Sequence, residues 1–166
     1  MQVEYLPVSL PLILIHKSFI HQIILEMKRK IYQICILLLL LLWVPVVIDK
    51  ILNFNTFRID ILKQPFDDSI APVVYYSLPF LEGAAVLSLI IPKYQKVGFI
   101  LSSFLLISFT VYVSIAMLGL WDKIPCGCGA LIAGMSWTQH FFFNLFFLFI
   151  SFLGLYINKK QNSFNK

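Results

Sequence analysis

Four long apolar stretches, separated by short polar segments, constrain this chain more than any other feature. The first, residues 31–48, is interrupted only by Tyr32, Gln33 and Pro45. The second, 71–91, contains Glu82 as its only charge, with Pro79 one turn earlier. The third, 97–120, has no charge at all, and the fourth, about 138–157, is rich in phenylalanine with His140 and Asn144 near its start. Each reaches the roughly 18 residues that a helix needs to cross a hydrocarbon layer about 30 Å thick. A segment in lipid must satisfy its own backbone hydrogen bonds, so helices are expected, and short connections make neighbours antiparallel. The predicted fold is an all-α membrane protein, an antiparallel bundle of four transmembrane helices.

Composition supports a bilayer as the solvent. The chain is 60% hydrophobic and 13% charged, against roughly 45–50% apolar and about 25% charged in soluble domains. A net charge of +5 could suggest nucleic acid, but the basic residues stand in short clusters between apolar runs, where they orient helices. The lipid bilayer is therefore the expected partner and nucleic acid is not.

Those clusters also predict sidedness. Lys28-Arg29-Lys30 precede the first span, Lys93 and Lys96 separate the second and third, and Lys159-Lys160 follow the fourth. All fall on one side, which the positive-inside rule makes cytoplasmic. The connection 53–70 offsets Arg58 and Lys63 with Asp60, Asp67 and Asp68, and the last connection holds Asp122 and Lys123. The expected location is the bacterial inner (cytoplasmic) membrane, multi-pass, with both termini cytoplasmic and the last connection periplasmic. Trp121 and Trp137 flank that connection, at the depth interfacial tryptophans favour. Residues 1–26 carry Pro7 and Pro11 and an apolar stretch too short to span. They read as an N-terminal extension, either interfacial or the product of a misassigned start, because Met27-Lys28-Arg29-Lys30 looks like a natural beginning. Residues 27–158 then form the four-helix domain and 159–166 a basic cytoplasmic tail.

The outward connection between the third and fourth spans carries Pro125-Cys126-Gly127-Cys128-Gly129. Disulfides persist in such a compartment. Two cysteines one residue apart can bridge only across a sharp turn, which Gly127 and Gly129 permit. So small a ring is expected to be strained, which raises its reduction potential and favours exchange with a partner over a permanent staple. The start of the fourth helix favours thiolate through its dipole, and Lys123 adds positive charge. A passive structural bridge is the alternative. Cys35 cannot join the pair, because it sits near the opposite end of the first span; it reads as a small core residue.

Three further groups attract attention inside the apolar stretches. His140 and Asn144 are four residues apart and share a helix face, following a first turn in which Ser136 or Thr138 supplies the capping oxygen. His140 could serve as a proton partner for a cysteine, as a third ligand with Cys126 and Cys128 for a soft metal such as copper or zinc, or simply as an interhelical hydrogen-bonding residue with Asn144. Glu82, half-way along a span, must face protein or water. Lys50, beside Asp49 at the outward end of the first span, either snorkels to the interface or reaches Glu82. An ion pair or a protonated carboxyl is the plain reading of Glu82; a proton path or a quinone pocket is the functional one.

Taken together, Pro125-Cys126-Gly127-Cys128-Gly129, then Gly134-Met135-Ser136-Trp137-Thr138-Gln139-His140 and Asn144-Leu145-Phe146-Phe147, with Pro79-x-x-Glu82 and Asp49-Lys50, resemble the MauE (methylamine utilisation protein) branch of the DoxX-like membrane proteins. The resemblance covers about residues 28–158. Gly127 and Ala130 depart from a Cys-Ser-Cys-Gly-Gly pattern, a change of turn geometry that leaves the thiols in place. The resemblance implies a four-helix membrane protein linked to methylamine dehydrogenase maturation, handling disulfides or electrons with a periplasmic thioredoxin-like partner, with Cys126 and Cys128 as the redox pair. Three functions compete: a membrane thiol-disulfide carrier, a non-enzymatic assembly or anchoring subunit, and a Cys/His metal-handling protein. A quinone or a soft metal stays open as cofactor.

Overall fold

A computed structural model describes residues 9–64, 67, 69–119 and 135–164. The chain forms α1 (Ser9–Leu52), α2 (Phe54–Leu62), α3 (Ala71–Ile90), a 3-10 turn over Pro92–Tyr94, α4 (Gln95–Met117) and α5 (Trp137–Phe164), with no strand among the described residues. Among the described residues, four helices are long and apolar enough to cross a membrane.

α1 begins far upstream of its apolar stretch. Residues 9–30 hold no glycine, and their one proline, Pro11, lies in the first turn, so nothing interrupts the helix before the basic cluster. At 1.5 Å per residue its 44 residues span about 66 Å, roughly twice the hydrocarbon core. The side chains from Lys17 to Met27 are all exposed, and burial starts at Tyr32. α2 is a further departure from the sequence reading, which treated 53–70 as a plain connection. It is a nine-residue helix whose Phe54, Phe57 and Ile61 pack on Ala71 and Tyr75 at the start of α3. Asp67 prepares that start: its carboxylate accepts from the Ser69 N–H and hydroxyl, at 2.9 and 2.8 Å, and its carbonyl accepts from Ile70 N at 2.9 Å. Pro92 ends α3 by holding Ile91 extended.

The four long helices form a ring in which α1 and α4 each lie beside α3 and α5. From α1, Tyr32, Cys35, Leu39, Leu42 and Trp43 enter the core at helical spacing. They meet Ala85 and Leu89 of α3, Phe99 and Leu106 of α4, and Ile150 and Ile157 of α5. α4 and α5 approach closely because Gly154 has no side chain: a Cβ there would lie 2.1 Å from the Phe99 ring.

Polar groups sit inside this bundle and apolar ones outside, the arrangement a bilayer requires. Trp43 Nε1 donates to Ser102 Oγ across the centre at 3.0 Å, and Ser151 donates to the Phe99 carbonyl at 2.9 Å while accepting from Ser103. Near the basic end, Tyr32 donates to Gln95 and accepts from Asn158, tying α1, α4 and α5 together. Leu37, Leu41, Phe80, Leu87, Phe104 and Phe149 point outward. The chain is a multi-pass membrane protein.

Candidate functional site: a buried ion pair and its cavity

The end of the bundle opposite Lys28-Arg29-Lys30 gathers the C-terminus of α1, all of α2, the first half of α3, the end of α4 and the start of α5. Because α1 and α3 are antiparallel neighbours, Lys50, near the end of α1, faces the middle of α3 along the length of its own side chain. Its ammonium donates to Glu82 Oε1. Lys50 is therefore turned into the bundle and does not snorkel: it is 4% exposed and Glu82 is 0% exposed. The ammonium also lies 5.2 Å from the Phe57 ring centre and 5.7 Å from that of Phe109. Two aromatic faces and one carboxylate thus replace the water the cation has left. Glu82 Oε2 has no partner among the described residues.

α5 supplies the other wall. Ser136 begins it with a reciprocal cap, its Oγ accepting from Gln139 N at 3.3 Å while Gln139 Oε1 accepts from Ser136 N at 2.9 Å. Of the two hydroxyls considered from sequence, Ser136 is the cap. The helix so anchored turns His140 and Asn144 inward, where both are buried. They line a cavity of about 40 Å³ together with Lys50, Tyr112 and Trp43. Leu42, Phe109, Val113 and Phe143 complete it with apolar surface. Asn144 Nδ2 is buried without a partner among the described residues.

The structure thus brings Lys50, His140 and Asn144 to one cavity, with Glu82 behind Lys50. Cys126 and Cys128 lie outside the described residues, as do Trp121, Asp122 and Lys123. Cys35 is buried in the core fifteen positions before Lys50, about 22 Å along α1. Sequence reasoning missed Tyr112, which donates to Gln64 and so pins the segment after α2 over the cavity. The available signal was its register, three residues after Phe109 on the same face of α4.

As formed, the cavity is far below the roughly 300–1,000 Å³ of small-molecule sites. It does not fit a quinone head group. Among the described residues no three His, Cys, Asp or Glu side chains cluster as metal ligands, and the Lys50 ammonium in the wall beside His140 opposes a second cation. What the cavity does fit is water, at roughly 10–15 Å³ per molecule, with polar partners on three helices.

A family model described as methylamine utilisation protein MauE matches residues 28–157. That match starts after Met27, spans all four membrane helices and includes every residue of the cavity. No curated protein and no solved structure matches the chain.

Proposed function

The chain belongs to the MauE family of methylamine utilisation proteins, and we propose that it acts there as a thiol-disulfide carrier of the bacterial inner membrane. In this reading it supports maturation of an exported protein, methylamine dehydrogenase in the setting that gives the family its name. One observation carries the reading: the connection between α4 and α5 holds Cys126-Gly127-Cys128-Gly129, two thiols one residue apart with glycines to permit the turn. The basic clusters put both termini in the cytoplasm and this connection in the periplasm, where disulfides persist.

The exchange needs neither a metal nor a quinone. A thiolate of a periplasmic thioredoxin-like partner attacks one sulfur of the Cys126–Cys128 disulfide, breaking that bond and forming a mixed disulfide. The partner's second thiolate resolves it. The partner leaves oxidised, and Cys126 and Cys128 keep two electrons and two protons as thiols. Exchange with a second disulfide-bearing protein, run in the opposite sense, restores the pair. His140, inside the first turn of α5, is the described titratable group nearest in sequence to the two cysteines and can take or give a proton in such chemistry.

Cys126→Ser and Cys128→Ser, expressed separately, test this. One of the two is expected to accumulate a reductant-sensitive adduct with an exported partner, and thiol labelling from outside intact cells should require prior reduction. If the double serine variant supports partner maturation at the wild-type level, the protein is an assembly or anchoring subunit instead.

A further inference from the structure

We propose that the cavity between α1, α4 and α5 is a hydrated proton-loading site, through which Glu82 exchanges a proton with the Lys50 end of the bundle by way of Lys50. The proposal does not depend on Cys126 and Cys128. Two buried polar atoms without partners among the described residues point to it from opposite sides: Asn144 Nδ2, a donor on the cavity wall, and Glu82 Oε2, an acceptor behind Lys50. Buried polar groups are paired almost without exception, and ordered water is the usual partner where protein supplies none. The cavity's 40 Å³ holds two or more waters. Asn144 Nδ2 donates to one of them, and Lys50, His140 and Tyr112 border the same space.

Lys50 connects that water to Glu82. Its three N–H groups exceed the single bond it makes to Oε1, and it forms part of the cavity wall. A proton delivered to the cavity as hydronium passes to Lys50 as Lys50 gives one of its own to Glu82. The products are water, an unchanged Lys50 ammonium and a neutral Glu82 carboxyl; no electron moves. Oε1, which accepts from Lys50, is the atom that takes the added proton, and among the described residues no donor reaches Oε2 to hold the carboxylate ionised. Among the described residues, the other ionisable groups around the pair have contacts of their own. Arg58 of α2 lies 5.6 Å from the Tyr75 ring centre, Asp60 pairs with Lys63, Asp49 accepts from Asn53, and Tyr112 donates to Gln64. His140 is the remaining titratable group on the cavity wall and is the entry point for the proton.

The test uses the full chain in lipid nanodiscs with glutamate labelled by carbon-13 at the side-chain carboxyl. The chain has only three glutamates, Glu4, Glu26 and Glu82, and Glu82 alone lies in a membrane helix outside the extension. Infrared spectra across pH should show a protonated-carboxyl band that Glu82→Gln removes and that shifts promptly in deuterated buffer. Asn144→Leu, similar in shape but unable to hold water, should slow that shift about 10²-fold, the low end of what a positioned proton carrier contributes. A Glu82 that stays ionised at every pH at which the unmodified protein is folded overturns the proposal, and this arm needs no variant to fold. Exchange as fast in a folded Asn144→Leu protein as in wild type overturns it too.

Discussion

At Lys50 the ammonium is held by the Glu82 carboxylate and by the faces of Phe57 and Phe109, all away from bulk water. Removing one partner leaves an uncompensated buried charge, which costs about 3–5 kcal/mol, whereas replacing both with apolar residues is often neutral. Lys50→Met and Glu82→Gln should each lower the unfolding free energy in a bilayer mimetic by about that amount, and Lys50→Met/Glu82→Leu by far less. The two single variants should also respond oppositely to pH. Acid neutralises the carboxylate stranded by Lys50→Met and so restores stability, while alkali does the same for the ammonium stranded by Glu82→Gln. A loss in the double variant equal to the sum of the two single losses would show that the two side chains act independently. A milder effect belongs to Asp67, whose carboxyl is held below its usual range by the backbone N–H and the hydroxyl of Ser69. A lowered value means the turn gains stability that is complete above the ordinary carboxylate pKa and is lost as pH falls through the lowered one. Faster amide exchange at Ser69 and Ile70 only in that acid range checks it. Lys50 and Glu82 stood out in the sequence because a charge inside or beside an apolar run is conspicuous, but Tyr112 did not, because one hydroxyl barely changes the hydropathy of α4. The partner of Lys50 was open between the membrane surface and Glu82 until the aromatic faces around it were known.

Helix starts and close approaches decide how the cavity walls are set. Gly154 lets α5 lie against Phe99, and a Cβ there would meet ring carbons at 2.1, 2.4 and 2.7 Å. Gly154→Ala must displace a buried aromatic, so a loss of about 1–3 kcal/mol is expected by overpacking, measured as a lower unfolding midpoint. Gly83, where an added Cβ would meet no described atom within 4 Å beyond its own stretch of helix, is the control, and its alanine variant should not show that loss. Ser136→Ala removes the cap oxygen at the start of α5 and should cost about 1 kcal/mol, with the amide of Gln139 exchanging faster. The cap was readable as Ser-x-x-Gln ahead of an apolar run, yet Thr138 competed with it until the hydrogen bonds separated them. α2 was not readable as a helix at all. Its apolar residues number too few for periodicity to be decisive in nine positions, and what fixes it is the contact of Phe54 and Ile61 with the first turns of α3.

For the whole molecule, the bundle was legible because lipid removes most alternatives: four apolar runs with short connections leave little besides antiparallel helices. The reach of α1 was not, since hydropathy marks where a helix is apolar and says nothing about where it starts. Residues 9–30 extend the first span as unbroken helix, but their described side chains, Lys17 to Met27, are exposed, and the core begins at Tyr32. The family match likewise begins at residue 28. The hydrogen bonds described between the long helices, from Tyr32–Gln95 at one end to Lys50–Glu82 at the other, lie beyond the extension. A chain beginning at Met27 keeps all of these, together with Lys28-Arg29-Lys30, the charges expected to fix the orientation of α1. Deleting residues 1–26 should therefore leave insertion and the accessibility of both ends unchanged. It should alter unfolding free energy by less than about 0.5 kcal/mol, the usual range for changes remote from packed features. The measurement is the unfolding midpoint of the two chains in the same detergent, with protease protection reporting orientation. A loss several times larger would mean that the extension packs on the bundle through residues before Lys17, and a change in protection would move the orienting signal upstream of Met27.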